Sequence, residues 1–307
     1  METTSDINNQ NSDNNQNSDP FPRPKPVVLL LLGGWGIAPA SEANAIAAAK
    51  TPTFLNLIKE YPVALLAVGD KNLNARYLTL GAGQEITDAD SKVEVTLTSV
   101  LAAAGLKQLK ISETERFADL THFFNGGTET KVNGEDWKII SSEAGNHTVK
   151  LPLALRRMTK EIIKAINSEA PVDFIAAAIP TIDLTVASGD FPAVKKAVTA
   201  VDKSLQNILD AVAAKNGVAI ITAAAGNAEQ LHYLATDLAD KEMTDNPVPF
   251  LIVGAEFKGK TIGLADPVND DLSLLSPAGT LADVAPTILR IMNLAKSAAM
   301  TGESLVN

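Results

Sequence analysis

Five uninterrupted apolar runs constrain this chain more than any other feature: VVLLLL (Val27 to Leu32), VALLAV (Val63 to Val68), FIAAAI (Phe174 to Ile179), VAII (Val218 to Ile221) and VPFLIV (Val248 to Val253). Each has the length of a strand and none alternates apolar with polar residues, so each predicts a strand covered on both faces. The covering layers must be helices, and one is legible between the third and fourth runs. There Val194, Val198, Val201, Leu205, Ile208 and Val212 recur three and four residues apart, which places them on one buried stripe. Asn216-Gly217 then stops the helix with a left-handed cap. Strand, helix, strand in repetition predicts an α/β fold, a doubly wound and mainly parallel sheet with helices on both faces. In such sheets ligands gather beyond the carboxyl ends of the strands, so the segments after Leu32, Ile179 and Ile221 are expected to meet.

Charge and cysteine content narrow the function. A net charge of −10 excludes nucleic acid and anionic membrane as main partners, since both require a basic surface. No run approaches the ~20 apolar residues of a membrane span, and no basic segment followed by an apolar one opens the chain. The absence of cysteine rules out disulfides, thiolate metal sites and cysteine nucleophiles, and fits a reducing, cytoplasmic setting in which the Asn146-His147-Thr148 sequon carries no glycan. Residues 1–26 read as a solvated tail outside the fold. The hexad NNQNSD is written twice, from Asn8 to Asp13 and from Asn14 to Asp19, and Pro20, Pro22, Pro24 and Pro26 then form an extended spacer. Residues 27–307 remain for the domain.

Residue chemistry alone yields no active site. The turn LLGGWG (Leu31 to Gly36) could present backbone N–H groups to a nucleotide phosphate, but Pro39 takes the third glycine's place in the dinucleotide fingerprint. LTLGAGQE, around Gly81 and Gly83, is weaker still. His122, His147 and His232 stand alone, Glu135-Asp136 and Asp270-Asp271 read as solvated charge, and no serine lies in a nucleophile elbow. Where the fourth strand ends, a position suited to carboxylates and histidines, the chain has Ala223, Ala224 and Ala225.

Several stretches in order resolve that oddity. KPVVLLLLGGWG, EANAIAAAKTPTFLNLIKEYP (Glu42 to Pro62), LKQLKISETERFADLTHFFNGG (Leu106 to Gly127), GNAEQ, NPVPFLIVG (Asn246 to Gly254), LADVAPTILRIM (Leu281 to Met292) and MTGESL (Met300 to Leu305) resemble, collinearly, the cofactor-independent phosphoglycerate mutases of the alkaline phosphatase superfamily. The resemblance implies an alkaline-phosphatase-like domain whose relatives hold two divalent metals, usually manganese, and pass a phosphoryl group through a serine. Laid over that pattern, Gly33 takes the place of a metal-binding aspartate, Leu73 of the nucleophilic serine and Tyr77 of a histidine. DLTVA keeps Asp183 and has Ala187 for a histidine. Ala224 and Ala225 replace two more ligands, and DKEM (Asp240 to Met243) lacks the histidines of the corresponding family segment. Lys107 matches an active-site lysine.

One carboxylate cannot gather a divalent ion, so the expected cofactor set is empty. Replacing the ligands by small apolar groups also removes buried, like-charged side chains that would cost several kcal/mol without metal. Residues 84–104 stand where the mutases insert a second domain, leaving space for a polar loop and one helix. The sequence therefore predicts an inactive binding, scaffolding or regulatory module whose partner is a protein or small ligand. The alternatives are a divergent metal-dependent mutase or phosphohydrolase with residual activity, built from Asp183, Lys107 and nearby acids, and a nucleotide binder at Gly33 to Gly36.

Overall fold

The computed structural model describes residues 23–69, 71–142, 147–233, 238–239, 241–263 and 267–306. Its strands are β1 (Val27–Leu32), β2 (Val63–Ala67), β3 (Gln108–Glu113), β4 (Glu135–Ile140), β5 (Phe174–Ile179), β6 (Val218–Thr222), β7 (His232–Tyr233), β8 (Leu238–Ala239), β9 (Val248–Val253) and β10 (Gly279–Thr280). Its helices are α1 (Ala45–Ala48), α2 (Pro52–Glu60), α3 (Leu73–Ala82), α4 (Leu97–Ala103), α5 (His147–Ile166), α6 (Thr181–Val186), α7 (Phe191–Ala214) and α8 (Val284–Ile291).

Eight strands form one sheet in the order β10-β2-β9-β6-β1-β5-β3-β4, while β7 and β8 make a separate hairpin. β1 lies at the centre, pairing in parallel with β5 on one side and β6 on the other. β9 is the exception, antiparallel to both β2 and β6, and its apolar run gave no hint of direction because burial on two faces looks alike in either sense. β1, β5, β6 and β9 are buried along their whole lengths. The helices fall into two packing groups, α1, α2, α5 and α6 against α7, and α3, α4 and α8 against one another, as the two layers of a doubly wound sheet require. The stripe from Val194 to Val212 is the buried face of α7, and Asn216, at φ 53°, makes the left-handed turn after it.

Three sequence expectations need correction. Residues 23–26 belong to the body rather than the tail: Arg23 Nε donates to Met292 O at 2.5 Å, Lys25 pairs with Asp173 at 2.7 Å, and Pro26 O accepts from Val218 N at 3.0 Å. The remainder of the tail, and Asn146 of the sequon, lie outside the described residues. Glu135 is not solvated; it opens β4 with its side chain fully buried, 3.0 Å from the equally buried Lys110 Nζ. Finally, the N–H groups of the GGWG turn are committed within the protein, because Gly33 N donates to Ile179 O, Gly34 N to Ala225 O, Trp35 N to Leu32 O, and the Gly36 backbone to the Glu229 carboxyl. The connection over 84–104 does consist of a loop and α4, tied down by bonds from Ile86 N to Thr79 Oγ1 and from Val93 N to Gly126 O.

Candidate functional site

At the carboxyl ends of β1, β5 and β6 lies a cavity of about 20 Å³. Gly33 and Gly34 reach it from β1, Asp183 from α6 beyond β5, and Ala224, Ala225 and Asn227 from the segment after β6. Leu73 and Tyr77 enter from α3, one turn apart on a single face. Arg116 and Asp119 complete the wall from the turns that follow β3. Gly33, Leu73, Tyr77, Asp183, Ala224 and Ala225, scattered over the sequence, are thus brought together. Ala187 lies just outside, on an adjoining open cleft of about 860 Å³ that also touches Lys71, Arg116, Asp183 and Lys241. Lys107 is not brought here. It precedes β3 at the opposite end of the strands and is exposed, and its backbone N–H donates to Asp173 just ahead of β5.

Close backbone approach shapes the floor. A Cβ on Gly33 would sit 3.5 Å from Asp183 Cβ, and one on Gly34, at φ 86°, would stand 2.6 Å from Asn227 Oδ1. The first turn is therefore clamped onto α6 and the loop after β6, with Asp183 N donating to Gly33 O at 3.2 Å. Neighbouring Glu229 is buried; it accepts from Thr244 Oγ1 and from Asn246 Nδ2 (3.1 Å), and burial raises its carboxyl pKa.

The electrostatic centre is Asp183. Arg116 Nη2 donates to its Oδ2 at 2.6 Å and Asn227 Nδ2 to its Oδ1 at 2.9 Å, so both oxygens are engaged. Partial burial works against the guanidinium charge, but Asp183 and Asp119 outweigh it and hold Arg116 above its ordinary pKa. Asp119 is buried, and burial lifts its carboxyl pKa to about 7 despite the opposing pull of Arg116, with Asp183 adding to the rise. Tyr77 is pushed well up, first by burial and then by Asp119, and stays neutral.

The sequence reading missed Arg116, Asp119 and Asn227. Topology offered a signal for the first two: β3 neighbours β5, so residues after Glu113, not before Gln108, lie on the side where the strands end. Neither His122 nor His232 lines the site. His122 stacks edge-on against Phe123, His232 lies in the β7–β8 hairpin, and His147 begins α5.

In comparison with known proteins, residues 25–296 match the metalloenzyme superfamily. The chain belongs to the metalloenzyme superfamily. Its relatives include the 2,3-bisphosphoglycerate-independent phosphoglycerate mutases of Chloroflexus aggregans, 35% identical over 215 residues, and of Shewanella sp. strain ANA-3, 37% identical over 213. These alignments cover 70% and 69% of this chain but 38% of each relative, so the chain spans well under half the length of the curated relatives it matches. The phosphoglycerate mutase of Leishmania mexicana, solved at low cobalt concentration, superposes with a TM-score of 0.76 at 14% identity, covering 93% of this chain and 98% of that one. Alkaline phosphatase from the Antarctic bacterium TAB5 superposes at 0.60 with 11% identity, covering 90% and 100%. At such identities the likeness is one of fold, the mainly parallel, alkaline-phosphatase-like sheet.

The metal pair implied by resemblance to other metalloenzyme superfamily members does not fit these residues. Among the described residues no three carboxylate or imidazole groups converge. The one acid retained, Asp183, already has a guanidinium on one oxygen and an amide on the other, and the methyl groups of Ala224 and Ala225 close the wall. A cavity of about 20 Å³ has room for about one water.

Proposed function

We propose that this chain is a catalytically inactive, phosphoglycerate-mutase-like member of its superfamily that works in the cytoplasm as a binding, scaffolding or regulatory module. The observation that carries this reading is the Arg116–Asp183 pair in its small cavity. A cation fixed by the protein occupies the carboxylate that metal chemistry would need, and Leu73 offers no nucleophile beside it. Among the described residues no helix is long and apolar enough to cross a membrane, which is compatible with a cytoplasmic setting. The purified chain, supplied with manganese and 3-phosphoglycerate, is expected to form no 2-phosphoglycerate above a heat-denatured control. Saturable interconversion that survives removal of contaminating mutase overturns the reading.

The open cleft favours a second reading, a divergent mutase or phosphohydrolase with residual activity. Lys71, Lys241 and Arg116 give its walls cations within reach of an anionic substrate, although Lys71 and Arg116 are paired with Asp245 and Asp183 and Lys241 bonds Ala187 O. Turnover of a phosphomonoester that is lost in Arg116→Ala and in Lys241→Ala would favour it.

A further inference from the structure

A second depression lies away from this centre, between α5 and α7, with a volume of about 520 Å³. Pro152 and Ile163 of α5 and Ala200 of α7 supply apolar surface over the buried Leu155, and three exposed cations stand around it: Arg156 and Lys160, one turn apart on α5, and Lys203 on α7. Among the described residues no acidic side chain lines the groove. The nearby acids are otherwise engaged, since Glu161 pairs with Lys138 across 3.6 Å, and buried Asp202 accepts from Thr53 N and Phe54 N at 3.1 and 2.8 Å. An apolar trough with cations on both walls is out of keeping with a chain of net charge −10.

The geometry points to this groove as the docking site for an acidic amphipathic helix of a partner protein. The α5 wall runs from Pro152 to Ile163, about 16 Å at the α-helical rise, or three turns. A helix laid in it buries an apolar stripe against Pro152, Ile163 and Ala200 and sets carboxylates from its two flanks against α5 and α7. A fatty acid or other single-headed anion satisfies one wall and leaves the cations of the other without a counter-charge. The inference does not depend on whether the centre at Asp183 is active.

The test uses the full chain and a fluorescein-labelled helical peptide of about four turns, with a leucine stripe at i, i+3, i+4 and i+7 flanked on both sides by glutamate. Its counterpart carries lysine in place of each glutamate. The acidic peptide is expected to raise anisotropy saturably and more weakly as salt increases, and the basic peptide to bind at least about tenfold more weakly. Lys160→Glu with Lys203→Glu should cost the acidic peptide about tenfold or more while leaving the melting curve in place, because both side chains are exposed. Absence of saturable binding, equal binding of the two peptides, or indifference to the double variant overturns the proposal. So does a concentration-dependent dimer, seen in sedimentation, that the double variant dissolves, since the groove's occupant would then be a second copy of this chain.

Discussion

Arg116 and Asp183 lie 67 positions apart in the chain and meet at 2.6 Å, one carried by the turn after β3 and the other by α6 after β5. Their side chains are 27% and 13% exposed, so the pair is neither fully dry nor screened as a surface pair is. Arg116→Ala strands a largely buried carboxylate that keeps only Asn227. The expected loss is about 2 kcal/mol, the scale of a hydrogen bond to a charged group. Arg116→Ala combined with Asp183→Ala should lose less than the two single changes together, and denaturant titrations of the four proteins measure that coupling.

Divalent metal should leave stability unchanged. An ion held only by the native state adds about 2.7 kcal/mol at a hundred times its dissociation constant, a rise in melting temperature of some 5 to 10 °C for a chain of this size. Melts in manganese, zinc, magnesium or excess chelator at matched ionic strength are expected to superimpose. A shift of several degrees with stoichiometric manganese or zinc would show that Asp183 exchanges Arg116 for an ion.

Restoring the hydroxyl at the nucleophile position should achieve nothing by itself. Leu73→Ser places a serine in the same cavity wall as Asp183, whose two oxygens are already engaged by Arg116 and Asn227 and so are not free to take its proton. Intact-mass measurement after incubation with a phosphate ester is expected to find no phosphorylated protein. A stable adduct of one phosphate would refute this.

Stability should fall as pH rises from 5 to 8. Asp119 and Glu113 are both buried and both have carboxyl pKa values raised to about 7, chiefly by burial; the Ser142 hydroxyl on Glu113 opposes the rise there, as Arg116 does at Asp119. Both groups are protonated in the folded and unfolded states below about pH 4, where this contribution is complete. Between there and pH 7 the unfolded chain releases protons that the folded chain keeps, so stability declines, by an amount on the order of a few kcal/mol. Asp119→Asn should flatten the dependence in melts across that range, and an unchanged slope would remove Asp119 from the explanation.

The Lys110–Glu135 pair at the sheet edge should be more sensitive to single changes than any surface pair. Glu135 also accepts from Trp137 Nε1 at 2.6 Å, Val132 N at 3.0 Å and Asn125 Nδ2 at 3.1 Å, while Lys110 Nζ donates to Thr98 Oγ1 at 2.9 Å and to Asn125 Oδ1. Lys110→Met removes the counter-charge and leaves that carboxylate buried, at an expected cost of about 3 to 5 kcal/mol. Lys131→Met, which removes the exposed partner of Asp136, should cost less than about 1 kcal/mol. Denaturant midpoints for the two variants decide whether burial sets the difference.

Legibility in the sequence followed the physical origin of each feature. The buried strands and the α7 stripe were readable because local periodicity encodes burial, and the gathering of Gly33, Leu73, Asp183, Ala224 and Ala225 followed once family resemblance aligned them. Polar groups were harder. Glu135 and Asp136 look identical as neighbours in a polar stretch, yet one faces Lys110 in the interior and the other faces solvent, a distinction made only by strand pairing. Arg116 was hidden for the same reason: its role depends on β3 lying beside β5, and nothing within residues 108–119 encodes that neighbour. Lys107 was singled out because it shares that stretch, but it stands at the wrong end of the strand.

The central position of β1 also sets a timetable. Val27 pairs with Phe174 and Val218, so the most apolar strand of the sheet leaves the ribosome roughly 150 residues before its first lateral neighbour and 190 before its second. At about 5 to 20 residues per second the nascent VVLLLL segment waits on the order of ten to forty seconds without native pairing. During synthesis that strand is a ready ligand for chaperones and a hazard for association between neighbouring nascent chains, a vulnerability that disappears when β6 docks.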